Sequence, residues 1–209
     1  MQCGGNELKL KDKPMEEKKL TEKESLELIT QMIQSTKDNV EKGEGTTFLI
    51  WGYVSTIVAL SIYFAWTITG NIAVCWAWWL IPILGYTITF ISKRNSPKRI
   101  ITGIDRIIGK VWLVAALCCI TAPVIAWFAP MPILFIEAFI VTIATTITGL
   151  IIKFKIIYIP GFIGIGLSYS LLFVQTDTRI LIFAALFVVL MVIPGHLLNA
   201  ICARKAKNN

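Results

Sequence analysis

Glu137 is the residue with the most chemistry open to it. It is the only acidic residue inside a long apolar run, residues 131–152, which reads MPILFIEAFIVTIATTITGLII. A spanning helix needs about 20 mostly apolar residues, so this run is long enough to cross a bilayer. On a helix, Glu137, Ala144 and Thr148 fall within about 20° of one line, because seven residues make nearly two turns. That narrow stripe must face protein or water rather than lipid. Glu137 lies about six residues, hence ~9 Å, from the outer end of its helix. A bare carboxylate there is costly, so the residue is expected to be protonated, hydrogen-bonded or open to a water cavity. Thr121 and Ser170, at similar height on neighbouring spans, are the expected partners. Glu137, Thr148, Thr121 and Ser170 together form a candidate intramembrane polar site, with Glu137 as the proton- or cation-binding group of a small transporter or channel. The plainer alternative is a neutral Glu that ties two helices together or sits in a wet outer vestibule.

A second pattern is Gly161, Gly164 and Ser168, small residues at i, i+3 and i+7. Small residues let helices approach closely, so these three are read as a helix-packing stripe. Pro160 could instead break that helix and expose backbone groups to an ion or substrate. Ser168 and the sole histidine, His196, also invite comparison with rhomboid proteases, where a base activates an intramembrane serine. Depth argues against it. Ser168 should lie ~18 Å and His196 ~6 Å from the inner ends of their spans, too far apart to bond. Tyr169 also stands where a glycine should follow the serine. The expectation is therefore a protein that is not an enzyme, with no catalytic residues. No phosphate-binding loop, dinucleotide fingerprint or HExxH motif occurs, and no cofactor is expected. The cysteines, Cys3, Cys75, Cys118, Cys119 and Cys202, form no CxxC pair, so neither a metal site nor a disulfide framework is expected.

The elements that must position these residues follow from composition. Of 209 residues, 56% are hydrophobic and 16% charged. A soluble domain carries about 25% charged residues, so the deficit points to a bilayer. Mean hydropathy is +0.70. The formal charge of +7 is unevenly spread: residues 1–45 hold eight Lys against ten Asp or Glu, and the remainder holds twelve Lys or Arg against three acids. Basic residues in short loops beside apolar spans set topology, and no basic surface domain is left to bind nucleic acid.

Read in order, residues 1–20 form a disordered tail with no apolar core of a secretory signal, and Met15 is an alternative start to Met1. Residues 21–44 form a cytoplasmic amphipathic helix, opened by the capping-box spacing of Thr21 and Glu24. Leu26, Ile29 and Ile33 line its apolar stripe, with Leu28 and Met32 beside it. Gly43 stops or bends it, and Gly45 follows. That stripe is expected to dock on the bundle or to self-associate through residues 21–42. Residues 45–201 form a six-span transmembrane domain, with spans at about 46–69, 72–92, 100–128, 131–152, 156–174 and 180–200. Pro82 and Pro123 should bend their spans. The third span should begin as an interfacial helix that dives at Val111, with Asp105 paired to a Lys or Arg of an inner loop. Residues 202–209 form a basic cytoplasmic tail. The clusters KRNSPKR and KFK fall on even-to-odd turns, whereas odd-to-even turns carry only Asp177 and Arg179. Both termini are thus expected in the cytoplasm.

Three motifs also carry a resemblance. ESLELITQMIQ at residues 24–34, GxxFLIWGY at 45–53 and IDRxxGxxW at 104–112 are similar to a family of small, uncharacterised six-span bacterial inner-membrane proteins with an N-terminal cytoplasmic amphipathic helix. The resemblance implies a bacterial inner-membrane location and brings no activity or site residues. The expected fold is all-α: an integral membrane six-helix bundle with both termini inside. The expected function is a non-enzymatic membrane protein that binds a protein partner, or senses the bilayer or a ligand, through its N-terminal helix. The transporter or channel built on Glu137 is the alternative.

Overall fold

The computed structural model describes residues 22–39, 45–94, 102–174 and 177–208, and every regular element among them is a helix. Helix α1 spans Glu22–Asn39. Helices α2 (Gly45–Thr69), α3 (Ile72–Arg94), α4 (Gly103–Ala126), α5 (Ile133–Ile151) and α6 (Lys155–Phe173) follow. Helix α7 begins as Thr178–Phe187, passes through a π turn at Val188–Val192 and continues as Ile193–Asn208. Among the described residues, six helices, α2 to α7, are long and apolar enough to cross a membrane. The tail expected at 1–20, the Thr21 cap and Gly43 lie outside the described residues.

The centre of the bundle is built by two antiparallel pairs, α5 with α6 and α2 with α7. Ala138, Ile157, Leu171, Phe183, Phe187 and Leu190 join them in one buried cluster. Helices α3 and α4 flank this centre. The only buried residue of α3 is Gly85, which forms a notch for the Trp51 ring: a Cβ there would lie 2.8 Å from it. The first eight residues of α3, Ile72–Trp79, wind as a 3-10 helix. Such runs rarely exceed three or four residues. Pro82, which cannot donate to the carbonyl four residues back, stands just after the change to α-helix. Pro123 falls in the last turn of α4, near the helix end.

The turns are set by local chemistry. Gly70 takes φ 58°, a left-handed conformation open to a residue without Cβ, and the Asn71 side chain accepts a 2.9 Å bond from the Ala73 amide. Between α5 and α6, Lys153 takes φ 51°. Its N–H donates to Leu150, and the Phe154 N–H donates to Gly149, the bond pattern of a Schellman cap. Phe154 is buried beneath that turn while Lys153 and Lys155 stay exposed. Helix α4 opens on a capping box. The Asp105 carboxylate accepts bonds from the Thr102 amide (2.8 Å) and hydroxyl (2.9 Å), and the Thr102 hydroxyl accepts from the Asp105 amide. Among the described residues, Asp105 caps its own helix and meets no inner-loop cation; Lys98 and Arg99 lie outside them. The segment from Gly103 to Ala126 is one continuous helix. At the other end of the chain, α7 runs on to Asn208 through residues read as a tail.

Helix α1 meets the start of α4. Met32 and Ile33 pack against the core cluster, and the Met32 sulfur approaches the Cβ position of Gly103 at 4.0 Å. Leu26, Leu28 and Ile29, one to two turns earlier, remain exposed.

Candidate functional site

Glu137 sits on the first turns of α5, half-buried. Among the described residues no hydrogen bond or ion pair is found at its carboxylate; the nearby titratable group is Cys119 of α4, within electrostatic reach. Ala144 and Thr148, on the same stripe, are buried, so that stripe faces protein. The remaining members of the candidate polar site hydrogen-bond to their own helices and not to Glu137. The Thr148 hydroxyl donates to the Ala144 carbonyl at 2.8 Å. Thr121 is exposed and donates to Leu117 (2.9 Å) and Cys118 (3.1 Å). Ser170 donates to Leu167 at 2.6 Å. Each hydroxyl is satisfied by its own helix backbone, the ordinary way for Ser and Thr to sit in an apolar medium.

The small residues of α6 form a seam with α5. A Cβ on Gly164 would lie 2.7 Å from the Thr142 methyl and 3.0 Å from Leu190. A Cβ on Gly161 would strike Thr146, and one on Gly149 of α5 would lie 2.5 Å from the Tyr158 amide nitrogen. The pairs Thr142–Gly164, Thr146–Gly161 and Gly149–Tyr158 run in strict antiparallel register. Ser168 continues the seam, fully buried and donating to Ile165 at 2.7 Å. Along α5, Thr142, Thr145 and Thr146 donate back to Phe139, Val141 and Thr142.

A second seam, between α2 and α7, was not anticipated from the sequence. A Cβ on Gly45 would strike the Asn199 side chain; one on Gly195 would lie 2.8 Å from Leu49; one on Gly52 would lie 3.0 Å from Met191 and 3.1 Å from the Val192 amide nitrogen. The spacing Gly45, Gly52, Ser55, Ala59 was the signal: small residues recurring on one helix face. Beside this seam the Tyr53 hydroxyl and His196 Nε2 share a 2.8 Å hydrogen bond, with the rings edge to face. His196 thus pairs with Tyr53 and Ser168 with Ile165, so the two do not form a dyad. In the middle of the seam lies Ser55, fully buried, whose Oγ has no hydrogen-bond partner. A buried hydroxyl left so costs about 1–3 kcal/mol. Thr56 and Thr89 also lack partners but are only half-buried. Among the described residues Cys75, Cys118 and Cys119 are free thiols, and no group of His, Cys, Asp or Glu is arranged to hold a metal ion.

No family model, curated protein or solved structure matches the chain. Two features stand out chemically: an unpaired carboxylate within a long apolar helix, and apolar side chains exposed on α1, outside the six apolar helices.

Proposed function

We propose that this chain is an integral membrane protein of the bacterial inner membrane, with both termini cytoplasmic, and that it acts as a non-enzymatic, partner-binding regulator through α1. The placement in a bilayer rests on the six apolar helices and on their charges. The end of α3, the start of α4, the α5–α6 turn and the end of α7 carry Lys93, Arg94, Arg106, Lys110, Lys153, Lys155 and Arg204, six of them on turns or helix ends that an up-and-down order puts on one side. Positive charge of this kind marks the cytoplasmic face. At the opposite side Trp76 and Trp127, both largely exposed, lie 6.0 Å apart, as interfacial aromatics do. The inner-membrane assignment follows the resemblance noted above.

The observation that carries the partner-binding reading is the division of α1. Its later apolar residues, Met32 and Ile33, are packed on the bundle, whereas Leu26 is 70% and Ile29 53% exposed. Covering apolar surface yields about 25 cal/mol per Å², so this half of the helix gains from a protein partner or from a second copy of the chain. Glu22, Glu24 and Glu27 beside it make an anionic lipid surface the poorer fit. Deleting residues 1–42 is expected to abolish association in pull-downs from cells while membrane insertion persists. Unchanged pull-downs would remove this reading.

The unpaired Glu137 favours a second reading, a small transporter or channel. Reconstituted vesicles would then pass protons or a solute, and Glu137→Gln would stop the flux. Flux equal to that of protein-free vesicles would exclude it.

A further inference from the structure

We propose that Ser55 and the π turn of α7 form an oxygen-lined site for a small monovalent cation, Na⁺ in the first instance, at mid-depth of the bundle. Gly52, Ser55 and Ala59 share one face of α2. Gly52 meets Met191 and the Val192 amide, and Ala59 belongs to the buried cluster with Phe183 and Phe187. Ser55 lies between them, so the antiparallel register of the seam sets it level with the start of the π turn, Val188–Val192.

Two independent observations point to a ligand. Ser55 is completely buried and its hydroxyl is unpartnered, whereas the hydroxyls of the other fully enclosed Ser and Thr residues described, Thr142, Thr145, Thr146, Thr148 and Ser168, all donate to their own helices; the unpartnered Thr56 and Thr89 are only half-buried residues. On the facing helix, the Ile193 N–H donates to Val188, five residues back, so the Val189 carbonyl loses the donor an α-helix would give it. Pro194 follows and has no N–H to offer the Leu190 carbonyl. Two successive carbonyls thus lose the donors an α-helix would give them; Leu190 and Pro194 are fully buried and Val189 half-buried.

A hydroxyl and carbonyl oxygens are neutral, hard ligands, suited to a hard cation. Neither α2 nor α7 carries an Asp or Glu, so no formal charge is at hand to balance a divalent ion. Ser55 is ten residues into α2, hence ~15 Å, half the thickness of a ~30 Å hydrocarbon core. Backbone carbonyls freed where a span departs from regular α-helix recur as Na⁺ ligands at this depth. The site requires the bilayer placement proposed above but not the partner-binding role of α1.

The test is thermal unfolding of the full chain in detergent, in NaCl, KCl or choline chloride at equal ionic strength. NaCl is expected to raise Tm saturably, by about 3–6 °C at tenfold Kd. Ser55→Ala is expected to abolish the response while remaining monodisperse and helical. Pro194→Ala, which returns a donor to Leu190, is expected to weaken it. The chain lacking residues 1–42 keeps the full response, which separates this site from the role of α1. Equal Tm in the three salts overturns the proposal, as does an undiminished Na⁺ response in both Ser55→Ala and Pro194→Ala.

Discussion

The two seams of this bundle use the same device and differ in one respect. Both bring antiparallel helices together where glycine removes a side chain: Gly149, Gly161 and Gly164 between α5 and α6, Gly45, Gly52 and Gly195 between α2 and α7. In the first seam regular α-helix is kept throughout, and every buried hydroxyl bonds its own backbone. In the second, α7 widens into a π turn before Pro194 and Ser55 has no partner. Close packing alone does not require the irregularity, since the α5–α6 pair achieves it without one. The α2–α7 seam therefore carries a π turn and an unsatisfied hydroxyl that the other lacks, and single π turns recur at functional sites.

The contrast can be broken by substitution. The largest effect is expected at Gly164→Val or Gly161→Val. Even one added carbon meets the Thr142 and Leu190 side chains at Gly164, or the Thr146 side chain and Cα at Gly161, so the three carbons of Val should destabilise by about 3 kcal/mol or more in thermal or denaturant unfolding. Gly166→Ala is the internal control. Nothing lies within 4 Å of its Cβ position, and the change should stabilise by up to about 1 kcal/mol through helix propensity. Gly52→Ala should cost about 1–3 kcal/mol, because Met191 and the Val192 backbone stand in the way. Smaller still, Ser55→Ala in Na⁺-free buffer should raise stability by about 1 kcal/mol, since it deletes an unsatisfied hydroxyl. Thr145→Val, which deletes a satisfied one, should cost about 0.5–1 kcal/mol. Equal effects of these last two changes would erase the distinction between the seams.

How much of this was legible in the sequence differs by element. Six long apolar helices were readable because runs of about 20 apolar residues have few other stable states. The packing role of Gly161, Gly164 and Ser168 was readable because small-residue spacing has one dominant meaning in an apolar helix. The α2–α7 seam was harder to see. Gly45 was read at the entry to the first span, where it does begin α2, but nothing in the sequence pointed to its contact with Asn199. Its partner Gly195 stands beside Pro194, which draws the eye to a bend. The Asp105 cap was hidden by the charge of its neighbours: three residues from Thr102, it matches a capping box as well as it matches an ion pair. The grouping of Glu137 with Thr121 and Ser170 rested on height along the membrane normal. Height does not report which way a side chain faces, and Thr121 proves to be exposed and bonded to its own backbone.

The central claim concerns α1: one half holds the bundle and the other half reads a partner. A photo-reactive side chain introduced at Leu26 and, separately, at Met32, activated in intact cells, tests it most directly. The account predicts that Leu26 cross-links to another polypeptide, a different protein or a second copy of this chain, while Met32 yields only adducts within its own chain. Protein adducts absent at Leu26, or the same pattern from both positions, would contradict it.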